Sequence, residues 1–288
     1  MLFAIINSLT TGMAVFLVAA GLTLIYGVMR ILNFAHGAFF MVGAYLVSSM
    51  VGQAPPSTLA LAAAAILAAF IVGLFGLVVQ RVVLKRVQDA DEHYMLIATF
   101  AVMLICVGVV KLIWGLEFLS VSPPPGLEGG NMLGPVFVPT FSIFVIVCGV
   151  LAFLLLELLL QRSWAGKMLT AMSRDRLMAQ LMGLNVPVWM MVAVGCSFAL
   201  AGLAGGLLLP NQTLSPVLGD QFLLMSFATI IVGGLGSIRG AFLAAILLGL
   251  IDGFNAIAFP NIPGVGIYIG LVFFLLVRPN GILGEEQI

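Results

Sequence analysis

The sequence predicts an all-α, polytopic integral membrane protein. It reads as about eight to ten transmembrane helices, some short or broken, with the N-terminus outside and the C-terminus cytoplasmic. Three observations predict this. Hydrophobic residues make up 62% of the chain and charged residues only 8%, with a mean hydropathy of +1.25; a soluble domain is roughly one quarter charged. Apolar runs near membrane-crossing length recur from end to end. The basic residues collect on one side of the path that those runs define.

Taken in order against a ruler of about 20 apolar residues per span, the runs are residues 3–28, 37–52, 57–79, 95–115, 140–161, 188–209, 221–233, 241–259 and 264–277. The first has no Lys or Arg before Arg30, so it reads as a retained span and not as a cleaved signal. Runs 37–52, 221–233 and 264–277 are short and flanked by Gly or Pro, and read as half-spans or broken helices. Strict alternation from an outside N-terminus puts Arg30, Arg81, Lys85, Arg86, Arg162, Lys167, Arg174, Arg176, Arg239 and Arg278 on one face. Of the 11 basic residues only Lys111 is left for the other. The positive-inside rule makes the basic face cytoplasmic. The outer stretch 116–139 is rich in Pro and Gly and carries Glu117 and Glu128, so it reads as a turn-laden surface segment. Residues 1–288 therefore read as a single transmembrane domain, and catalytic or regulatory parts must be lent by partners.

Composition also excludes function classes. The formal net charge is zero, so no basic field suggests nucleic acid. Cys106, Cys148 and Cys196 sit in separate apolar runs without CxxC spacing and read as buried packing residues. Two histidines with few carboxylates make no metal site, and neither HExxH nor GxxxxGK[ST] occurs. The chain is expected to be no enzyme and to carry no cofactor of its own.

Three segments interrupt the apolar pattern. "ILNFAHGAFFMVGAY" places Asn33, His36, Gly37, Gly43 and Tyr45 at the second run. Freed backbone groups in hydrocarbon must be satisfied, so one reading is a discontinuous helix beside a substrate path. The other is a plain turn capped by Asn33 and His36, with Arg30 as a topology anchor. The second segment, about 161–187, is long enough for about two short helices. Met172, Asp175 and Ala179 share one helical face and Leu177, Leu181 and Leu184 another. An amphipathic helix between Gly166 and Gly183 suits either the interface or a partner's groove. The third, "GGLGSIRGA", holds Gly233, Gly234, Gly236, Ser237, Arg239 and Gly240 and reads as a tight turn. Its Gly-Ala-Phe echoes Gly37-Ala38-Phe39, which raises an internal repeat. Charged residues within runs (Lys111, Glu157 and Asp252) are candidates because charge in lipid is costly. Asp252 lies with Asn255 toward the outer half of its run.

These segments together resemble the branched-chain amino acid ABC transporter permeases, on the LivH side of the LivH/LivM pair. Asn33-Phe34-Ala35-His36-Gly37 and Gly43-Ala44-Tyr45 match the family's N-terminal signature. "AMSRDRLMAQLMGLN" is similar to its cytoplasmic coupling segment, with Ala171, Ala179, Gly183 and Asn185 matching, and Arg174 and Asp175 lie within it. "VGGLGSIRGA" and "RPNGILG" resemble its glycine turn and its C-terminal tail. The motifs run in order along nearly the whole chain.

The resemblance implies a permease subunit of an ATP-driven importer in a bacterial cytoplasmic (inner) membrane. It implies a second, LivM-like permease or a second copy, two cytoplasmic ATPases that bind ATP and Mg, and an extracytoplasmic substrate-binding protein. The implied cargo is a small polar solute, with branched-chain or related amino acids the commonest. Urea, short amides and other carboxylates also occur in the family. Two departures stand out: Ala38, where members often carry Glu or Asp, and Thr170, where they often carry Arg. The rival reading is a self-sufficient secondary transporter or channel, which needs coupling carboxylates that the chain mostly lacks.

Overall fold

The computed structural model describes residues 2–52, 55–87, 91–133, 136–259, 261–262 and 264–284. Helices dominate: α1 (Leu2–Met29), α2 (Ala35–Val51) and α3 (Thr58–Val79), which continues through a π-helical turn at Gln80–Leu84 into α4 (Lys85–Val87). There follow α5 (Glu92–Trp114), α6 (Thr140–Arg162), α7 (Trp164–Arg174), α8 (Arg176–Leu181), α9 (Val186–Leu208), α10 (Leu218–Gly233), α11 (Ile238–Ala258) and α12 (Val265–Val277). Six helices are long and apolar enough to cross a membrane; α2, α10 and α12 are shorter apolar helices. They are the same three runs that the sequence marks as short. The all-α class holds with one addition, an antiparallel hairpin of β1 (Gly130–Leu133) and β2 (Val136–Pro139) in the expected surface segment.

Local chemistry sets the helix ends. Ser57, Ser163, Asp175, Asn185 and Ser237 each accept a hydrogen bond from the N–H three residues on, and so cap α3, α7, α8, α9 and α11.

In lipid, helices associate by close packing, and small residues let their backbones meet. α1 is the central post, with 83% of its apolar window buried. α9 lies against α1, α2 and α3. A Cβ added to Gly43 of α2 would come 2.5 Å from the Cα of Gly202 on α9, so this crossing admits no side chain.

The middle of the bundle is irregular. α1 runs on to Met29, yet the first turn of α2 lies beside Val18, through a 2.9 Å contact from His36. Eleven residues of helix separate Val18 from Met29, about 16 Å. Residues 30–34 therefore climb back into the layer before α2 starts. α10 repeats the manoeuvre from the other side. After α9 and a 3-10 turn at Leu209–Asn211, the chain pairs Leu214 with Leu119 and returns inward. α10 then begins with Gly219 pressed on Gly37, where a Cβ on Gly219 would meet the Gly37 carbonyl at 2.6 Å.

The two glycines of the Gly37-Ala38-Phe39 and Gly240-Ala241-Phe242 echo each lie in the first turn of a helix but meet different neighbours. Gly37 meets Gly219 in mid-bundle, whereas Gly240 meets Gly233 across a tight turn at a helix end.

Substituting Gly43 by Val is expected to destabilise the purified protein by about 1–3 kcal/mol through overpacking. Gly108→Ala, with open space around it, should be neutral or slightly stabilising. Thermal unfolding in detergent compares the two; equal effects would remove the α2–α9 crossing as a packing constraint.

Candidate functional site

The opening segment divides into a strand of irregular backbone and a buried tie. Arg30 takes φ +57, the left-handed region, and ends α1 with its N–H on the Tyr26 carbonyl at 2.7 Å. Asn33 then starts α2: its side-chain oxygen accepts from the Ala35 N–H at 3.0 Å, and its carbonyl accepts from the His36 N–H at 3.2 Å. Those bonds satisfy donors that a helix beginning inside a bundle otherwise leaves orphaned.

His36 is wholly buried. Its Nε2 donates to the Val18 carbonyl of α1 at 2.9 Å, since a carbonyl can only accept. Ser197 of α9 sits 3.4 Å from the other ring nitrogen and donates to the Gly21 carbonyl at 2.8 Å. A Cβ on Gly21 would come 2.8 Å from the imidazole, so only glycine leaves room for the ring. His36 thus ties α2 to α1 and α9 from inside the packing.

Tyr45 is buried too. Its ring lies 5.3 Å from that of Trp114 on α5, and Trp114 donates to Ser49 at 2.7 Å. The Tyr45 hydroxyl makes no hydrogen bond among the described residues. Gly37 and Gly43 are the two close-approach points already described, and Ala38 is buried at the first.

Asp252 stands apart from this group. Its carboxylate faces the backbone N–H groups of Gly264, Gly266 and Ile267 at the start of α12. An acidic group at a helix N-terminus opposes the unpaired donors and the dipole there. Asn255 joins it by donating to the Ile262 carbonyl at 3.1 Å.

The segment at 161–187 forms two helices, as its length suggests, but its expected faces need correction. A single amphipathic helix does not form, because Asp175 leaves helical geometry (φ −147, ψ 104) and caps α8, accepting from the Met178 N–H at 2.8 Å. Met172 and Ala179 are buried, while Asp175 is exposed at the break between them. Gly166 is no boundary: it lies in the first turn of α7, tight against the backbone of Leu159 and Leu160. Gly183 does end α8, at φ +87, and Asn185 caps α9.

Leu169, Met172, Ala179, Val186 and Met190 pack with Leu24 and Val28 of α1. Outward, Leu177, Leu181 and Met182 stand exposed, and Ala171, Arg174 and Asp175 border an open cleft of about 910 Å³.

Sequence reasoning took Arg30 only as a topology anchor and missed that it joins these parts. The Arg30 guanidinium donates to the carbonyls of Ser173 at 2.9 Å and Arg174 at 3.2 Å. It caps the end of α7 and spans 143 residues of sequence. Its place between a helix and a polar break was the available signal; its partner was not legible.

The glycine turn is braced rather than open. Gly233 and Gly240 meet backbone to backbone, Ser237 caps α11, and Gly236 approaches Gly27 of α1. Arg239 pairs with Glu157 of α6. The C-terminal tail returns to it: Ile282 and Leu283 donate to the Val232 and Gly233 carbonyls at 2.8 and 3.0 Å, satisfying the end of α10.

A family model described as the permease component of branched-chain amino acid transport systems matches residues 4–277. The high-affinity branched-chain amino acid permease protein BraD of Pseudomonas aeruginosa is 28% identical, over 99% of this chain and 96% of its own. LivH of Salmonella typhimurium is 28% identical, over 98% and 95%. A probable LivH of Methanocaldococcus jannaschii is 30% identical, over 94% and 88%.

His36→Ala is expected to lower stability by about 2–4 kcal/mol, because it opens a cavity and removes a buried bond. Asn33→Ala should cost about 1 kcal/mol as a lost cap. Denaturation of the purified variants measures both; a His36→Ala protein as stable as the parent would remove the tie.

Proposed function

The chain belongs to the family of branched-chain amino acid transport system permeases, with LivH-like relatives, and we propose on that premise that it is the membrane-spanning subunit of an ATP-driven importer. It works beside a LivM-like second permease or a second copy of itself. Two cytoplasmic ATPases, which bind ATP and Mg, dock on α7 and α8. An extracytoplasmic binding protein delivers the solute, most simply a branched-chain or related amino acid. The basic face is cytoplasmic, which puts the N-terminus outside, in a bacterial inner membrane.

The observation that carries this reading is the Arg30 link. A docking segment matters only if its movement reaches the spans. α7 is held at its last two carbonyls by the residue that ends α1 and opens the break before α2. Charge-assisted bonds from a guanidinium to helix-terminal carbonyls are directional. A shift of α7 on ATPase closure pulls on residues 30–34, and through Asn33 and His36 on the start of α2. The exposed apolar residues of α8, Leu177, Leu181 and Met182, suit burial against a partner. Alternating access follows from rocking the short helices that start in mid-bundle.

In the assembled transporter, Arg30→Ala should keep ATP hydrolysis and lower uptake per ATP several-fold, with partial recovery in Arg30→Lys. Arg174→Glu and Gly183→Trp should weaken ATPase association in pull-downs. Wild-type coupling in Arg30→Ala would reject the link. Uptake by this chain alone, without an ATPase, would reject the importer reading.

A further inference from the structure

The end of the bundle opposite Arg30 is closed by a contact between two loops. α9 starts beside the last turns of α1, with Val186 and Met190 packed against Leu24 and Val28. Its other end reaches the far half of α2, where a Cβ on Gly206 would come 2.7 Å from the Val47 side chain. The loop that follows α9, residues 212–217, therefore lies away from Arg30. The chain leaving α5 at Gly115 meets it there. The Leu119 N–H donates to the Leu214 carbonyl at 3.2 Å, and the Leu214 N–H donates to the Leu119 carbonyl at 2.8 Å.

This contact is small but central. It is an isolated bridge, whereas the β1–β2 hairpin in the same outer segment pairs along its whole length. Two strands without further neighbours hold together only weakly. Beneath the bridge the side chains are apolar. Val121, Leu209, Leu214 and Leu218 are buried in the same core as Val110 and Tyr45. Tyr45 packs on Trp114, the last residue of α5, and its hydroxyl makes no hydrogen bond among the described residues. A buried hydroxyl without a partner is unfavourable, and an arrangement that lets water or solute reach it removes that cost. α10 begins directly after the bridge, with the Leu218 N–H on the Ser215 carbonyl at 3.1 Å and Gly219 pressed on Gly37. The loop is thus joined to the first turn of α2 on one side and to the exit of α5 on the other.

We propose that the Leu119–Leu214 bridge is the outer closure of the solute path and parts in each transport cycle. This rests on the importer reading and adds to the Arg30 link the element on which it acts at the far side. A pull on residues 30–34 moves the first turn of α2. Gly219 follows, because no side chain separates it from Gly37. Leu214 then withdraws from Leu119 as the start of α10 shifts. Only two backbone bonds break, and their groups turn to water at the outer surface, where exposure is tolerated.

The test uses the complete transporter in proteoliposomes, in a Cys106→Ala, Cys148→Ala, Cys196→Ala background. A hydrogen-bonded antiparallel pair has its Cα atoms about 5.5 Å apart, within disulfide range. Leu119→Cys with Leu214→Cys should form a disulfide under mild oxidation. ATP-driven L-leucine uptake should fall in proportion to the fraction cross-linked and return with reductant. Met132→Cys with Phe137→Cys, paired across the hairpin, should cross-link without loss of uptake. Full uptake by the cross-linked Leu119/Leu214 variant overturns the proposal, and so does failure of that disulfide to form. A second readout needs no solute. The thiol of Leu214→Cys alone should react with a membrane-impermeant maleimide at rates that differ several-fold between the ATP-bound and ATP-free transporter. Equal rates overturn the proposal. State-dependent labelling in a transporter that shows no ATP-dependent uptake would instead count against the importer reading.

Discussion

The structure depends on α2 starting inside the bundle and not at its edge. A helix that begins in apolar surroundings exposes unpaired N–H groups, and no water is there to meet them. Asn33 satisfies the nearest of these, and His36 hangs the first turn on the backbone of α1. Gly37 and Gly43 then let α10 and α9 close on α2 without side chains between them. Remove that start and the crossings with α9, α10 and α5 lose their common reference.

The same start links two levels of the molecule. On the basic side, residues 30–34 are short, irregular and fastened through Arg30 to the end of α7. On the other side, α10 begins at the same first turn of α2 after its own return into the layer. A displacement of α7 therefore acts where two short helices meet, not at the rim of a long one. Long helices such as α1 and α9, packed over most of their length, supply the fixed frame. The divided arrangement suits a transporter: a rigid part to bear load and a few discontinuous elements to move.

The residues of the first segment show how far polarity in an apolar run can be read. Asn33 and His36 attract notice because they are costly in lipid, and that cost is real. It is met by internal bonding, with His36 fully enclosed. Asp252 lies against the start of α12, but one of its carboxylate oxygens makes no hydrogen bond among the described residues. Lys111 interrupts its run in the same way, yet it stays exposed near the end of α5. Burial, which separates an internal tie from an exposed charge, has no signature in single-residue polarity. The segment at 161–187 makes a related point. Helical periodicity put Met172, Asp175 and Ala179 on one face, yet only Met172 and Ala179 are buried, because a good cap interrupts a helix that the period alone would continue.

Sequence alone determined the class, the nine apolar runs and the three that are short. Each follows from composition and from local spacing, because lipid forces every span to satisfy its own backbone and to carry its own apolar surface. Tertiary structure decided the depth at which α2 and α10 begin, the partner of Arg30 and the enclosure of His36. Those depend on which helices approach one another and how closely. That is set by long-range packing of glycine faces and by hydrogen bonds between residues more than a hundred positions apart, which no local pattern encodes.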